Sequence, residues 1–315
     1  MNSMRFARKL FQKAVSLPSE FAFQFSSKPS RDAIMALPAR TQDNGDPLSM
    51  QASAGLREAG YFLTDLDTLD VDGTSAMQSA GENLFERLRK RAYAPAQAGV
   101  HTVTATREDL VGADAIFYWG LNDRVLSIVS EYLGQPPAYD GFSAYYSRSD
   151  GRQAGPRLWH KDREDLRMVK VAVYFTDVDD SSGPYEVLKP QYGRLIDGSH
   201  YENMTDERIA SVLGTGHEAS FANRCTGKAG TVIFSDTALH YHRGRPPTAR
   251  DRCAIFYSYF SRNPRYPYFC ERSAYSRAQL EALAKPLPEA KRKSVLWRQD
   301  LPLRSRLIPR NRVTV

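Results

Sequence analysis

A change of texture near residue 137 constrains this fold more than any other feature of the chain. Beyond Pro136-Pro137 the sequence becomes a series of short apolar or alternating runs separated by turn residues. These are Phe142–Tyr146, Met168–Phe175, Tyr185–Leu188, Gly230–Phe234 and Cys253–Phe260. Successive side chains on a strand point to opposite faces, so such runs bury one face or both. Several of them with turns between argue for a sandwich or jelly roll. The first part of the chain reads differently. Gly55–Leu63 predicts a helix closing at Gly60 and a strand beginning there. Residues 75–92 carry Met77, Leu84, Phe85 and Leu88 at helical spacing. A further helix is expected from about Asn122 to Leu133, stopping at Gly134, and a short one near 275–284. No internal repeat is present.

The 315 residues can bury a sizeable core as one unit, and the apolar and charged fractions, 42% and 25%, are ordinary for a globular protein. No apolar run approaches the ~20 residues needed to cross a bilayer. No stretch resembles a secretory signal. Cys225, Cys253 and Cys270 are few, odd in number and widely spaced. They read as reduced thiols of a cytoplasmic protein. The formal charge of +7 gathers at the two ends. Residues 1–50 are expected to be a basic amphipathic extension and a polar connector, with 26–54 loosely ordered; the same N-terminal composition also suits an organelle transit peptide. Residues 51–285 are expected to be one domain, and 286–315 a basic tail. Such ends suit solvated segments or an anionic carrier or partner. No nucleic-acid partner is expected, and the oligomeric state is not legible.

The chemistry begins at Leu158-Trp159-His160-Lys161-Asp162. On an extended strand, residues two apart share a face and lie about 6.6 Å apart. His160 and Asp162 can thus offer an imidazole nitrogen and a carboxylate oxygen to one side of a divalent metal. A histidine from a distant strand would complete the 2-His-1-carboxylate set of non-haem Fe(II) oxygenases, with open positions opposite. His-x-Asp alone arises by chance in many proteins, and the later segments give it weight. Gly230–Asp236 reads as a strand that delivers His240 and His242, which share strand parity. Arg252 opens the apolar strand after them, whereas Arg250 lies in a charged turn. A guanidinium held inside a barrel needs an anionic partner, because an unpaired buried charge is expensive. Lys170, alternating with Ala172 and Tyr174, is a second candidate for an anion contact. Tyr146 and Arg148 are weaker ones. Asp236 and Thr237 are expected to brace the late turn, and Trp159 to pack over the metal.

Three stretches together carry a resemblance: Trp159-His160-x-Asp162, then Asp177-Val178-Asp179 through Gly183-Pro184-Tyr185 to Lys189-Pro190, then His242-Arg243-Gly244-Arg245-Pro246 with Arg252. Over roughly residues 50–262 the chain resembles the phytanoyl-CoA dioxygenase family of Fe(II)/2-oxoglutarate oxygenases. The resemblance implies a double-stranded β-helix, a jelly-roll, cupin-like core, here packed against N-terminal helices. It implies Fe(II) on His160, Asp162 and His242, with 2-oxoglutarate chelating the metal and its far carboxylate on Arg252. It implies use of O2, release of succinate and CO2, and hydroxylation of a small-molecule or acyl-thioester substrate. Desaturation or cyclisation by the same chemistry remains open. The His-Arg-Gly-x-Pro run favours His242 over His240. Where the family often has Pro-Gly-Ser-His, this chain reads Pro190-Gln191-Tyr192-Gly193, a departure that bears on substrate. The rival readings are a jelly roll that binds a ligand without turnover and a zinc hydrolase built on the same three ligands.

Overall fold

The computed structural model of the chain describes residues 46–196, 203–214 and 221–306. The N-terminal extension as far as residue 45, and the final nine residues, lie outside them. The described chain starts with helix α1, Pro47–Glu58, where the expected connector should still have been running. The signal was local: the Asp46 side chain accepts from the Leu48 amide at 3.4 Å and Pro47 occupies the first turn. Gly60, at φ 83°, turns the chain from α1 into strand β1, Tyr61–Asp65. Helix α2, Thr74–Ala92, buries Met77, Leu84, Phe85 and Leu88 as its spacing predicts. Strand β2 is Thr102–Thr104. Helix α3, Asp123–Leu133, is capped by Asn122 and ends at Gly134, φ 75°.

The strands then follow: β3 Pro137–Ser147, β4 Met168–Tyr174, β5 Tyr185–Leu188, β6 Ala222–Cys225, β7 Thr231–Asp236, β8 His242–Gly244 and β9 Arg252–Ser261. Helix α4, Asp206–Leu213, lies between β5 and β6. Six strands form one antiparallel sheet in the order β1-β7-β4-β9-β3-β2, and three form a second, β6-β5-β8. This is the antiparallel two-sheet arrangement of a jelly roll, the double-stranded β-helix expected from the resemblance.

Register shows what each face of the large sheet does. Val169, Val171 and Val173 share a core with Met77, Leu84, Ile128 and Val129 from the helices. The residues between them face the small sheet: Ala172, Tyr174, Ile233 and Ala254 pack with Tyr185, Val187 and Cys225. Pairing therefore sets side-chain rows across the inner face. Lys170 lies between Ser235 and Ser258; Ala172 lies between Ile233 and Phe256; Arg252 lies opposite Ser147. The space between the sheets, the chamber hereafter, is thus lined in these rows by small serines and an alanine beside Lys170 and Arg252. Tyr185 ties the sheets across it, donating from its hydroxyl to Ser235 Oγ at 3.0 Å.

The C-terminal part is more ordered than a tail. Helices α5, Arg277–Ala284, and α6, Glu289–Val295, lead into residues 297–306. The Ser276–Gln279 capping box starts α5. Trp297 is buried among Ala138, Met168, Phe260 and Cys270, and stands edge-on to Phe260 at 5.0 Å. A basic composition concealed these anchors. Trp297→Ala is expected to cost about 3–5 kcal/mol, the usual range for a buried tryptophan, measured by urea unfolding. A change near zero would mean that this segment is not part of the cooperative fold.

Candidate metal centre

His160 and His242 meet through the backbone. The two residues exchange both ladder hydrogen bonds, 3.0 Å each way, in an isolated antiparallel bridge. Directly opposed residues project side chains to the same face, so both imidazoles enter the chamber with ring centroids 4.3 Å apart. Two residues on from His160, the Asp162 amide donates to Thr237 O at 2.8 Å, which returns the Asp162 side chain to that face. One ligand atom from each of His160, Asp162 and His242 lies within 4.8 Å of the others. It is the one such cluster among the described residues.

Hydrogen bonding directs the rings. His160 Nδ1 donates to Leu158 O at 2.7 Å and His242 Nδ1 donates to His240 O at 3.1 Å. Each bond fixes the tautomer and leaves a bare Nε2 pointing inward, as a metal requires. His242 Nε2 is 3.8 Å from Asp162 Oδ2. Burial lowers the pKa of His160, and of His242 further still, where His160 adds to the effect. Burial also opposes the Asp162 charge, but Lys170, His242 and His160 outweigh it and hold the carboxyl below its usual range. Two neutral imidazoles and one carboxylate are the protonation states in which these groups bind a divalent cation.

The lowered histidines have a consequence for stability. The unfolded chain takes up protons as pH falls through about 6.5, while the folded chain resists until lower pH. Folding free energy is therefore complete above that value and declines below it. The urea midpoint of the metal-free protein should fall between pH 7.5 and 5.5. The decline should be shallower in His242→Gln, and an unchanged slope in that variant would show that this imidazole does not contribute.

The other candidates fall in different places. His240 lies in the turn 237–240 after β7, so the parity expected of it does not reach β8. Its ring packs on Gly60, and any Cβ there would collide with it. Asp236 braces that turn, accepting from the Ala238 and Leu239 amides at 2.8 and 2.9 Å, and Tyr132 donates to its other oxygen. Trp159 is wholly buried under Arg243, 4.5 Å above its ring. Arg250 is exposed on an ion pair with Asp179. Tyr146 donates to Asp251 at 2.7 Å and Arg148 stacks on Tyr93, both away from the triad. Lys170, read as an anion contact, places Nζ 2.6 Å from Asp162 Oδ2. Burial works against its charge, but Asp162 and Glu164 raise its pKa.

Arg252 is 5% exposed at the far end of the chamber. Its Nη2 lies against the Gly244 backbone, where a Cβ would overlap it. Its Nη1 has no acceptor, and no carboxylate pairs with it among the described residues. Burial accordingly lowers its pKa. His242 and Gly244 are two residues apart, about 6.6 Å on an extended strand. That separation suits a short dicarboxylate reaching from the triad to the guanidinium. Tyr185, 5.7 Å from the His242 ring, walls the space with Phe256 and Tyr145.

Sequence reading passed over Glu164 and Arg272. Glu164 continues the alternation of His160 and Asp162, which was a usable signal; it is buried and paired with Arg272 Nε at 2.9 Å. Arg272 lies eleven residues beyond the last strand and carries none. A groove of about 430 Å³ holding Arg224, Arg243, Arg245 and Glu186 lies on the opposite face of the small sheet. The pairing of Val187 with His242 turns Glu186 and Arg243 away from the triad.

The fold and cluster define a class of architecture: a jelly roll with a 2-His-1-carboxylate cluster inside it. Among solved structures, EctD from S. alaskensis with 2-oxoglutarate and 5-hydroxyectoine matches at 19% identity, over 80% of this chain and 92% of that one, with a TM-score of 0.51. EctD from S. alaskensis with bound Fe matches at 17% identity over 76% and 90%, with a TM-score of 0.50. These likenesses establish the fold. No family model matches the chain, and no curated protein matches it. No helix among the described residues is long and apolar enough to cross a membrane.

Proposed function

We propose that this protein is an Fe(II)/2-oxoglutarate-dependent oxygenase of the phytanoyl-CoA dioxygenase type, acting on a small-molecule or acyl substrate. One observation carries the reading: the inner face that bears the triad also holds Arg252, a buried arginine without an acid partner among the described residues. His160, Asp162 and His242 would hold Fe(II), and Arg252 would take the far carboxylate of 2-oxoglutarate. Bound there, the metal and keto acid supply oxidative decarboxylation by O2, giving succinate and CO2 and the oxidation of a substrate C–H bond.

The chain's own residues bind, orient and shield. Leu158 O and His240 O fix the imidazole tautomers. Lys170 steadies the Asp162 carboxylate and lends positive charge beside the ketoacid end. Arg252 and Gly244 make a slot for a planar carboxylate, since only a residue without Cβ leaves the guanidinium in place. Tyr185, Phe256 and Tyr145 keep bulk water from the reacting face. A retained aspartate at position 162, where glycine would admit a halide, supports hydroxylation over halogenation.

Anaerobic titration with Fe(II) should produce a weak visible charge-transfer band only once 2-oxoglutarate is added. A zinc hydrolase or a binding module predicts no such band, and its absence with iron bound would end this reading. Succinate release across a metabolite panel then identifies the substrate.

A further inference from the structure

The chamber has a second arginine at its mouth, and the loop that presents it is built at a cost. Strand β3 breaks register between Tyr139 and Phe142, with Gly141 at φ 82°. The break releases Asp140 from the ladder. Its buried carboxylate accepts two successive amides, from Glu271 at 3.0 Å and Arg272 at 2.9 Å. Glu271 is held at φ 63°, a left-handed conformation that strains a residue bearing a side chain. Arg277 grips the Glu271 carboxylate with two bonds of 2.7 Å, and Arg298 reaches it at 3.2 Å. Bulge, carboxylate clamp and strained backbone all converge on the residue that follows Glu271.

That residue is Arg272. Its Nε is used, 2.9 Å from Glu164 Oε1 and 3.3 Å from Phe269 O. Its two terminal nitrogens have no acceptor among the described residues, and the side chain is 42% exposed. Glu164 stands two residues beyond Asp162, so the fork is pinned beside the triad. Its charge is felt by both Asp162 and His160. A guanidinium anchored through Nε offers a planar pair of donors outward, which matches a carboxylate in bidentate geometry. Arg252 sits at the opposite end of the chamber, buried where Arg272 is open.

We infer that Arg272 anchors a carboxylate of the substrate and so turns the remainder of that molecule toward the metal; this rests on the function proposed above. The substrate class is a small carboxylic acid. Lys170 is occupied by Asp162 and does not compete for this role. The C-terminal segment enters function here, because Arg298 helps hold Glu271 in the strained conformation.

The test is calorimetry on the full chain, saturated with Fe(II) and 2-oxoglutarate under nitrogen so that Arg252 is filled. The probes are hexanoate, hexanamide and butyl phosphate. Hexanoate should bind and hexanamide should bind at least ten times more weakly. Arg272→Gln should weaken hexanoate at least tenfold and leave the visible iron–ketoacid band in place, while Arg272→Lys keeps part of the affinity. Equal hexanoate binding in Arg272→Gln, no hexanoate binding in the wild type, or a preference for butyl phosphate would each overturn the assignment. If the visible band never forms, the oxygenase reading has failed, and hexanoate binding to the Arg252→Met variant still reports on Arg272 separately.

Discussion

Asp162→Ala should abolish 2-oxoglutarate-dependent succinate release and, at the same time, destabilise the fold. Loss of even an outer partner of a metal ligand costs about 10–100-fold in affinity or activity, and Asp162 is itself a ligand in the proposed site. The structural penalty has a separate origin. Lys170 Nζ lies 2.6 Å from Asp162 Oδ2 within the chamber, and that carboxylate is the closest counter-charge it has. Removing one member of a buried ion pair costs about 3–5 kcal/mol, whereas replacing both by apolar groups is often neutral. Lys170 keeps some exposure, so the lower end applies. The double variant Asp162→Ala/Lys170→Met should therefore regain most of the lost stability and none of the succinate release. Urea unfolding and a succinate assay on the wild type, Asp162→Ala, Lys170→Met and the double variant separate the two effects. Turnover surviving in Asp162→Ala would remove the carboxylate from the metal site. A double variant as unstable as the single would show that the ion pair is not what Asp162 contributes to folding.

The second large effect is at Arg252, where function and stability should move in opposite directions. A charge-assisted bidentate contact is worth about 3 kcal/mol, which corresponds to roughly 100-fold in affinity. Arg252→Met should raise the 2-oxoglutarate requirement by about that factor, with Fe(II) binding unchanged. In the ligand-free protein the guanidinium is buried with Nη1 unsatisfied, and an apolar side chain removes that cost. The variant should accordingly melt at a higher temperature than the wild type without ligand, and lose the stabilisation that 2-oxoglutarate gives. Gly244→Ala reaches the same slot from the other side, because its Cβ would overlap Nη2 and displace the fork. Its effect should appear in the 2-oxoglutarate KM and spare iron. Unchanged 2-oxoglutarate affinity in Arg252→Met would take Arg252 out of the proposed role.

Much of the framework could be read before any coordinates, and particular residues show why. Met77, Leu84, Phe85 and Leu88 recur at the helical period, and all four are buried in α2. The alternation of Val169, Val171 and Val173 with Lys170, Ala172 and Tyr174 separates helix-facing from chamber-facing positions on β4. Where local signals competed, reading fell short. A polar, proline-containing stretch reads as a connector, although Asp46-Pro47 caps and opens α1. The stretch 286–315 reads as a tail because its charge is basic, yet Val295 and Trp297 are core residues. Spacing alone gives His240 the strand parity of His242, and the turn at 237–240 breaks it.

Which side chains share a face, and where helices start and stop, follows from backbone periods of two and 3.6 residues and from caps a few positions away. Those facts reside in neighbouring letters, and the order of amino acids alone was enough to supply them. Three features were settled only by the packed molecule: the bridge that sets His160 opposite His242, the ion pair that takes up Lys170, and the clamp that carries Arg272 back beside Glu164. The bridge and the clamp join residues tens of positions apart, and the ion pair joins a loop to β4, through sheet register, a β-bulge or a buried carboxylate. Such contacts depend on how whole layers close on one another, a long-range balance of burial and chain entropy that no local pattern records.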